Sequence, residues 1–323
     1  MRVGLLGLGR IGEFHAATLS SLVDELVVSD ADAARVAAVA EKYGATTGDP
    51  FDADAVVIAT PTSTHAELLI RACDKGVPAF CEKPAAPTVG ETLEVVDAVE
   101  RSGTMVHIGF QRRFDAGYTA ARQALLDGEL GDLHRVHMLT GDPAPPPAGY
   151  VAQSGGIFRD CHIHDFDILR WVTGREVETV YAIGSNRGAD FFAAAGDVDN
   201  SAAVLTLDDG TLVTMQGSRY NGNGYDVRME LAGTRATWAV GLSARSPLHS
   251  ADGLTPHGDP WPDFQTRFED AYVAEMGAFL AAARGERESP CTARDALAAL
   301  YLAEAADLSH REGRPVALRE VTA

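Results

Sequence analysis

The sequence predicts an α/β N-terminal domain, built as a doubly wound parallel sheet (residues 1–118), followed by an α+β C-terminal domain with antiparallel strands (119–323). Three observations carry this reading. Up to about residue 115, short continuous apolar runs alternate with helical stretches, the pattern of parallel strands covered on both faces. A Gly-x-Gly-x-x-Gly sequence lies between the first of those strands and the first helix. From about 177 to 240 the rhythm changes to strand-like segments separated by turn residues, as in antiparallel sheets. A chain of 323 residues exceeds what one small core organises, so two domains are expected.

In order along the chain, VGLLG (3–7) is a buried strand leading into a helix over 11–22. ELVVSD (25–30) is the second strand, and an alanine-rich helix follows to Tyr43. AVVIAT (55–60) precedes a helix over 66–75; PAFCEK (78–83) and MVHIGF (105–110) flank a helix over 89–101. A helix near 116–126 then leads to the strand RVHML (135–139) and the proline-rich loop GDPAPPPAG (141–149). The stretch RDCHIHDFD (159–167) lies in a largely buried helix preceded by Gly155 and Gly156. VETVYAIGS, SAAVLTL, TLVTMQGS, DVRMELAG and TRATWAV read as strands, with Asp208-Asp209-Gly210 as a hairpin turn between the second and third. Helices over about 266–284 and 292–311 close the chain.

Composition excludes several classes. With 27 basic against 46 acidic residues the net charge is −19, and such a chain repels nucleic-acid backbones unless basic residues concentrate in one place. No such cluster occurs, so no nucleic-acid partner is expected. No apolar run approaches bilayer-spanning length, and the glycine-rich start MRVGLLGLGR is not a signal peptide. Cys73, Cys81, Cys161 and Cys291 lack metal-ligand or disulfide-framework spacing and read as reduced thiols, consistent with a cytoplasmic protein.

Chemistry concentrates at strand ends. In Gly7-Leu8-Gly9-Arg10-Ile11-Gly12, Gly7 permits a tight turn, Gly9 a close backbone approach to a pyrophosphate, and Gly12 close helix packing. The helix N-terminus then offers N–H groups to phosphates. Asp30 ends the second strand; a carboxylate there accepts from both ribose hydroxyls and repels a 2′-phosphate, which favours NAD. Capping of the next helix is the competing role, with Asp32 nearby. Thr60, Pro61 and His65 follow the third strand, and Glu82, Lys83 and Pro84 the fourth. A lysine at that edge, desolvated beside a cationic nicotinamide, would exchange protons with an alcohol; a plain surface lysine is the alternative. In RDCHIHDFD, Asp160 and His164 are four apart and share a helical face. Cys161 and His162 face different ways, so no metal site is expected. The pair is either an acid–base constellation or a buried structural histidine with its carboxylate.

GLGRIG, EKP around Lys83, GFQRRFDAGY (109–118), Asp160-x-x-x-His164, GYD (224–226) and RFEDAY (267–272) together resemble the Gfo/Idh/MocA family, essentially over the whole chain. The resemblance is greatest to its inositol 2-dehydrogenases. It implies an N-terminal Rossmann domain, a C-terminal domain with a large, mostly antiparallel open sheet, and a homotetramer assembled through such sheets. It also implies a cis peptide before Pro84, with Lys83, Asp160 and His164 as catalytic residues: His164 takes the hydroxyl proton, Asp160 orients it, and Lys83 hydrogen-bonds the oxygen. Gly7, Gly9, Arg10, Ile11, Gly12, Asp30, Thr60, Pro61, His65, Glu82 and Lys83 would hold NAD. Gln111, Arg112, Asp142, Tyr225 and Tyr272 would join the catalytic set around a cyclitol or sugar. A ring-hydroxyl dehydrogenase of sugars or glycosides and a non-catalytic NAD-binding sensor are the rival readings. The paired Arg112 and Arg113 have no role fixed by the sequence; a surface salt bridge and a cleft position are both open.

Overall fold

The computed structural model describes residues 1–252 and 256–322. They form two compact units: residues 1–111 with 272–298, and residues 112–271 with 299–323. A single boundary at 118/119 therefore leaves out one segment: Met276, Phe279 and Leu280 are buried in the same apolar cluster as Val3, Leu5, Val28 and Phe80 of the first unit.

In the first unit, strands β1 (Arg2–Leu6), β2 (Glu25–Ser29), β3 (Thr46–Thr47), β4 (Ala55–Ile58), β5 (Ala79–Glu82) and β6 (Val106–Gly109) form a parallel sheet in the order β3-β2-β1-β4-β5-β6. Helices α1 (Arg10–Leu19), α2 (Ala33–Tyr43), α3 (His65–Lys75) and α4 (Val89–Ser102) connect the strands. All four residues of β4 are buried, which is why its sequence is uniformly apolar rather than alternating. The strand order reverses between β1 and β4, and in such sheets ligands bind outside the carboxyl ends of the strands at that point. The expected Rossmann architecture is present. Helix α1 stops at Leu19 rather than Leu22, because the chain turns through Ser20 to Val23 to enter β2.

In the second unit, β7 (Leu133–Gly141), β8 (Val177–Ser185), β9 (Asn200–Leu207), β10 (Leu212–Ser218), β11 (Asp226–Gly233), β12 (Thr237–Val240) and β13 (Val316–Ala317) form a sheet ordered β12-β11-β7-β10-β9-β8-β13. Neighbours are antiparallel except β7 and β10, which run parallel. The hairpin at 208–210 joins β9 to β10 as the sequence predicts. Its remaining helices are α5 (Ala116–Leu126), α6 (Ala148–Val151), α7 (Ile157–Asp160), α8 (His162–Thr173), α9 (Phe191–Ala194), α10 (Phe264–Arg267) and α13 (Arg319–Thr322). Helices α11 (Glu269–Ala283) and α12 (Ala293–Glu312) contribute residues to both units. Two expectations change here. RVHML extends to nine residues, and RDCHIHDFD is not one helix: it breaks at Cys161, between α7 and α8. Among the described residues, no helix is long and apolar enough to cross a membrane.

Candidate active site

The nucleotide side is made by the first unit. Gly7 has φ +87°, and a Cβ there would lie 2.6 Å from the Ala59 carbonyl oxygen. A Cβ on Gly12 would lie 1.8 Å from the Gly7 carbonyl oxygen, so the turn and the start of α1 close only with glycine. At Gly9 nothing lies within 4 Å, leaving its backbone approachable. A cleft of about 350 Å³ opens beside it, lined by Leu8, Gly9, Arg10, Glu13, Arg35 and Val39 among others. Asp30 accepts hydrogen bonds from Leu8 N–H (2.6 Å) on one oxygen and Asp32 N–H (2.8 Å) on the other. The helix-capping role falls to Asp32, which accepts from the Ala34 and Arg35 N–H groups at the start of α2. Asp30 is thus pinned beside the glycine turn, and its remaining lone pairs suit ribose hydroxyls. This combination fits NAD.

Beyond β4, the Thr60 and Thr64 hydroxyls are 2.7 Å apart. His65 is buried and spans two strand ends, with Nδ1 2.7 Å from the Pro84 carbonyl oxygen and Nε2 2.9 Å from that of Thr60. Burial pushes its pKa down against the pull of the two carbonyls. His65 therefore acts as a brace between the Thr60 and Pro84 loops. Glu82 lies 2.7 Å from His15 Nε2, and the Lys83–Pro84 peptide is cis, as the resemblance implies. Tyr272 is buried in this unit, edge-on to Phe14 and His15. Gln111 is buried at its chain boundary with the second unit.

The second unit gathers the carboxylates. Asp160, at the end of α7, accepts from the Tyr150 hydroxyl (2.8 Å) on Oδ1 and from Arg219 Nη2 (2.8 Å) on Oδ2. Arg219 Nη1 donates to Asp142 (3.1 Å), to which the Cys161 thiol also points at 3.6 Å. Burial pushes the Asp142 carboxyl up while Arg219 pulls it down. Burial works against the Arg219 charge, but Cys161, Asp160 and Asp142 outweigh it and raise its pKa. His164 is half-buried in the first turn of α8. Tyr225 is buried, which drives its phenol up although Arg112 opposes this.

Behind this layer lies a buried polar network. His162 Nδ1 is 2.8 Å from Asp165, and its Nε2 is 2.7 Å from the Ser201 hydroxyl. Space for the ring comes from Gly217, where a Cβ would fall 2.4 Å from His162 Nε2. Asp165 also accepts from Arg112 (2.5 Å) and from the Thr140 hydroxyl (2.8 Å). Burial alone would raise Asp165, but Arg112 and His162 hold it below the ordinary carboxylate range. Arg113 grips Asp167 through two nitrogens, at 2.9 and 2.5 Å. The paired arginines thus have a physical reason: they hold Asp165 and Asp167 inside the unit, which excludes the surface salt bridge left open above. Arg159 is ion-paired with Glu304 and Asp307 of α12, and burial pushes Asp307 up to about 6 against the opposing charge of Arg159.

Sequence reading missed Arg219, Tyr150 and Asp167. Arg219 follows β10 directly, as Asp142 follows its parallel neighbour β7, and that pairing between distant segments has no local mark in the sequence.

A parallel sheet with a glycine turn at its switch point, and a second unit holding titratable side chains at strand and helix ends, define a nucleotide-dependent oxidoreductase. Residues 1–110 match the oxidoreductase family with NAD-binding Rossmann fold, and residues 118–239 match the GFO/IDH/MocA C-terminal domain. The chain is 38% identical to the inositol 2-dehydrogenase of Rhizobium meliloti, over 98% of this chain and 99% of that one. It is 35% identical to the NAD⁺-dependent scyllo-inositol 2-dehydrogenase of Bacillus subtilis, over 98% and 96%. A myo-inositol dehydrogenase structure from Corynebacterium glutamicum superposes with a TM-score of 0.90 at 34% identity, covering 98% of each chain. The chain belongs to the GFO/IDH/MocA family and is an NAD-dependent oxidoreductase.

Proposed function

We propose that the protein oxidises a secondary alcohol of a cyclitol, an inositol or a close relative, with NAD as hydride acceptor. The observation that carries this is the company of Asp160. A carboxylate fixed by two donors, one turn before a half-buried histidine, is arranged to orient a base rather than to fill a core. The inositol-specific names of relatives aligned over nearly the whole chain support the substrate class. In this reading, Lys83, Asp160 and His164 form the acid–base set. NAD, when bound, supplies the carbon that receives the hydride. His164 removes the hydroxyl proton, Asp160 keeps its imidazole directed, and Lys83 donates to the alcohol oxygen. Gln111, Asp142, Tyr225 and Tyr272 address the other hydroxyls, whereas Arg112, expected among them, is buried against Asp165 and supports the site without reaching substrate. Gly7, Gly9, Arg10, Ile11, Gly12, Asp30, Thr60, Pro61, His65 and Glu82 form or brace the dinucleotide site.

Mixing protein, NAD and a panel of cyclitols and free sugars at pH 8 to 9 tests it through absorbance at 340 nm. Reduction is expected with inositols, and the His164→Ala variant should turn over about 10²- to 10⁴-fold more slowly. Tight NAD binding with no reduction by any polyol would instead leave the sensor reading standing.

The assembly proposed is a cytoplasmic homotetramer. One sheet face of the second unit exposes Tyr181, Ile183, Val204 and Leu212, and Val204 stands opposite Tyr181 on one side and Thr214 on the other. Such an apolar strip favours a second copy over water. Light scattering should return four chain masses, and a monomeric mass would refute the assembly.

A further inference from the structure

We propose that Arg219 and Tyr150 are positioning residues for Asp160, fixing both oxygens of that carboxylate and thereby the direction of the imidazole it serves. The inference deepens the dehydrogenase reading above and rests on it.

The geometry begins in the sheet. β7 and β10 are the parallel pair, and Gly141 stands opposite Ser218 at their carboxyl ends. The next residue on each strand, Asp142 and Arg219, therefore emerges on the same edge, and Asp142 N–H donates to the Ser218 carbonyl at 2.9 Å. Arg219 is fixed again by its own N–H, which donates to the Asp199 carbonyl at 2.8 Å. Its guanidinium is 3% exposed and bridges Asp142 and Asp160. A planar fork with two engaged nitrogens sets direction as well as charge.

Asp160 needs such help from outside its helix. It ends the four-residue α7, and the chain breaks at Cys161 before α8 begins. A lone helical turn fixes its side chains poorly by itself. The second fixing is on the other oxygen. Tyr150 follows the proline run, is 49% exposed as a residue, and its hydroxyl donates to Asp160 Oδ1 at 2.8 Å. Neither residue needs to touch the substrate. Each acts through the carboxylate, where small displacements are costly because proton transfer demands close alignment.

The test uses the full chain, NAD and a cyclitol that the wild type oxidises. Tyr150→Phe deletes one hydroxyl from a half-exposed ring, and Arg219→Lys keeps the charge but loses the fork. The expected result is a kcat lower by about 5- to 20-fold for Tyr150→Phe and about 10- to 100-fold for Arg219→Lys, with KM for polyol and NAD within about twofold. The double variant should fall short of the product of the two losses, since both act on one carboxylate. NAD binding, followed by fluorescence, should stay at the wild-type value in each. A Tyr150→Phe enzyme with wild-type kcat overturns the inference, and so does one whose loss lies in polyol KM, since that marks a substrate contact. Tyr150→Phe decides the matter even if Arg219→Lys does not fold. A wild type that oxidises no cyclitol overturns the dehydrogenase reading, and this inference with it; an active wild type with indifferent variants overturns this inference alone.

Discussion

In the first unit, the groups offered to a nucleotide are mostly backbone: the turn at Gly7, the open flank of Gly9, the start of α1 behind Gly12. Asp30 is the main side chain, and even it is held by backbone N–H groups. In the second unit, the candidate site is made of side chains, and they are held by other side chains. Arg112 meets Asp165, Arg113 meets Asp167, Arg159 meets Glu304 and Asp307, and Arg219 meets Asp142 and Asp160. Backbone sites tolerate exchange of neighbouring side chains, because their precision comes from φ/ψ and hydrogen-bonded strand ends. Side-chain sites depend on buried charges that stabilise little as pairs but cost heavily when one partner is lost. The two units should therefore respond differently to mutation.

The largest expected effect separates them. Arg113 and Asp167 are 5% and 0% exposed, so Arg113→Met strands a carboxylate in the core of the second unit. A loss of about 3–5 kcal/mol is expected, read as a drop in the urea midpoint of that unit's unfolding. Adding Asp167→Leu to Arg113→Met should restore most of it, because two apolar groups replace a buried pair at little net cost. If Arg113→Met cost under about 1 kcal/mol, the contrast between the units would fail, since the ion pairs would not be bracing anything.

The same contrast explains what the sequence reveals and what it hides. GLGRIG is local: the turn follows β1 directly and leads straight into α1, and neither Gly7 nor Gly12 can carry a Cβ there. AVVI and VGLLG announce buried parallel strands by their lack of alternation. The antiparallel strands and their hairpin were equally legible from period and turn chemistry. The partners of RDCHIHDFD were not, because Arg219 is 59 residues from Asp160 and Arg113 is 54 from Asp167. Helical periodicity also placed Asp160 and His164 on one continuous face, and the break at Cys161 has no local signal in a stretch without glycine or proline. The segment 272–298 reads as an ordinary C-terminal helical region; that it joins the first unit depends on Met276, Phe279 and Leu280 meeting a core built far earlier in the chain, between Val3 and Phe80.

The smallest expected effect concerns two aspartates of the first unit that sit two residues apart and do different work. Asp32 caps α2 through the N–H groups of Ala34 and Arg35, so Asp32→Ala should cost about 0.5–2 kcal/mol of stability. NAD affinity, measured by titration calorimetry, should hardly move, because the glycine turn is tied to Asp30 instead. Asp30→Ala should do the reverse in ligand terms: removing the carboxylate that accepts from ribose and repels a 2′-phosphate should bring the NADP and NAD dissociation constants closer together. Its stability cost should also be modest, since Leu8 and Asp32 N–H lose a charged acceptor but lie at a partly exposed strand end. Retained discrimination in Asp30→Ala would move ribose recognition to the cleft beside Gly9, where Arg10 and Arg35 stand, and would make even this site depend on side chains.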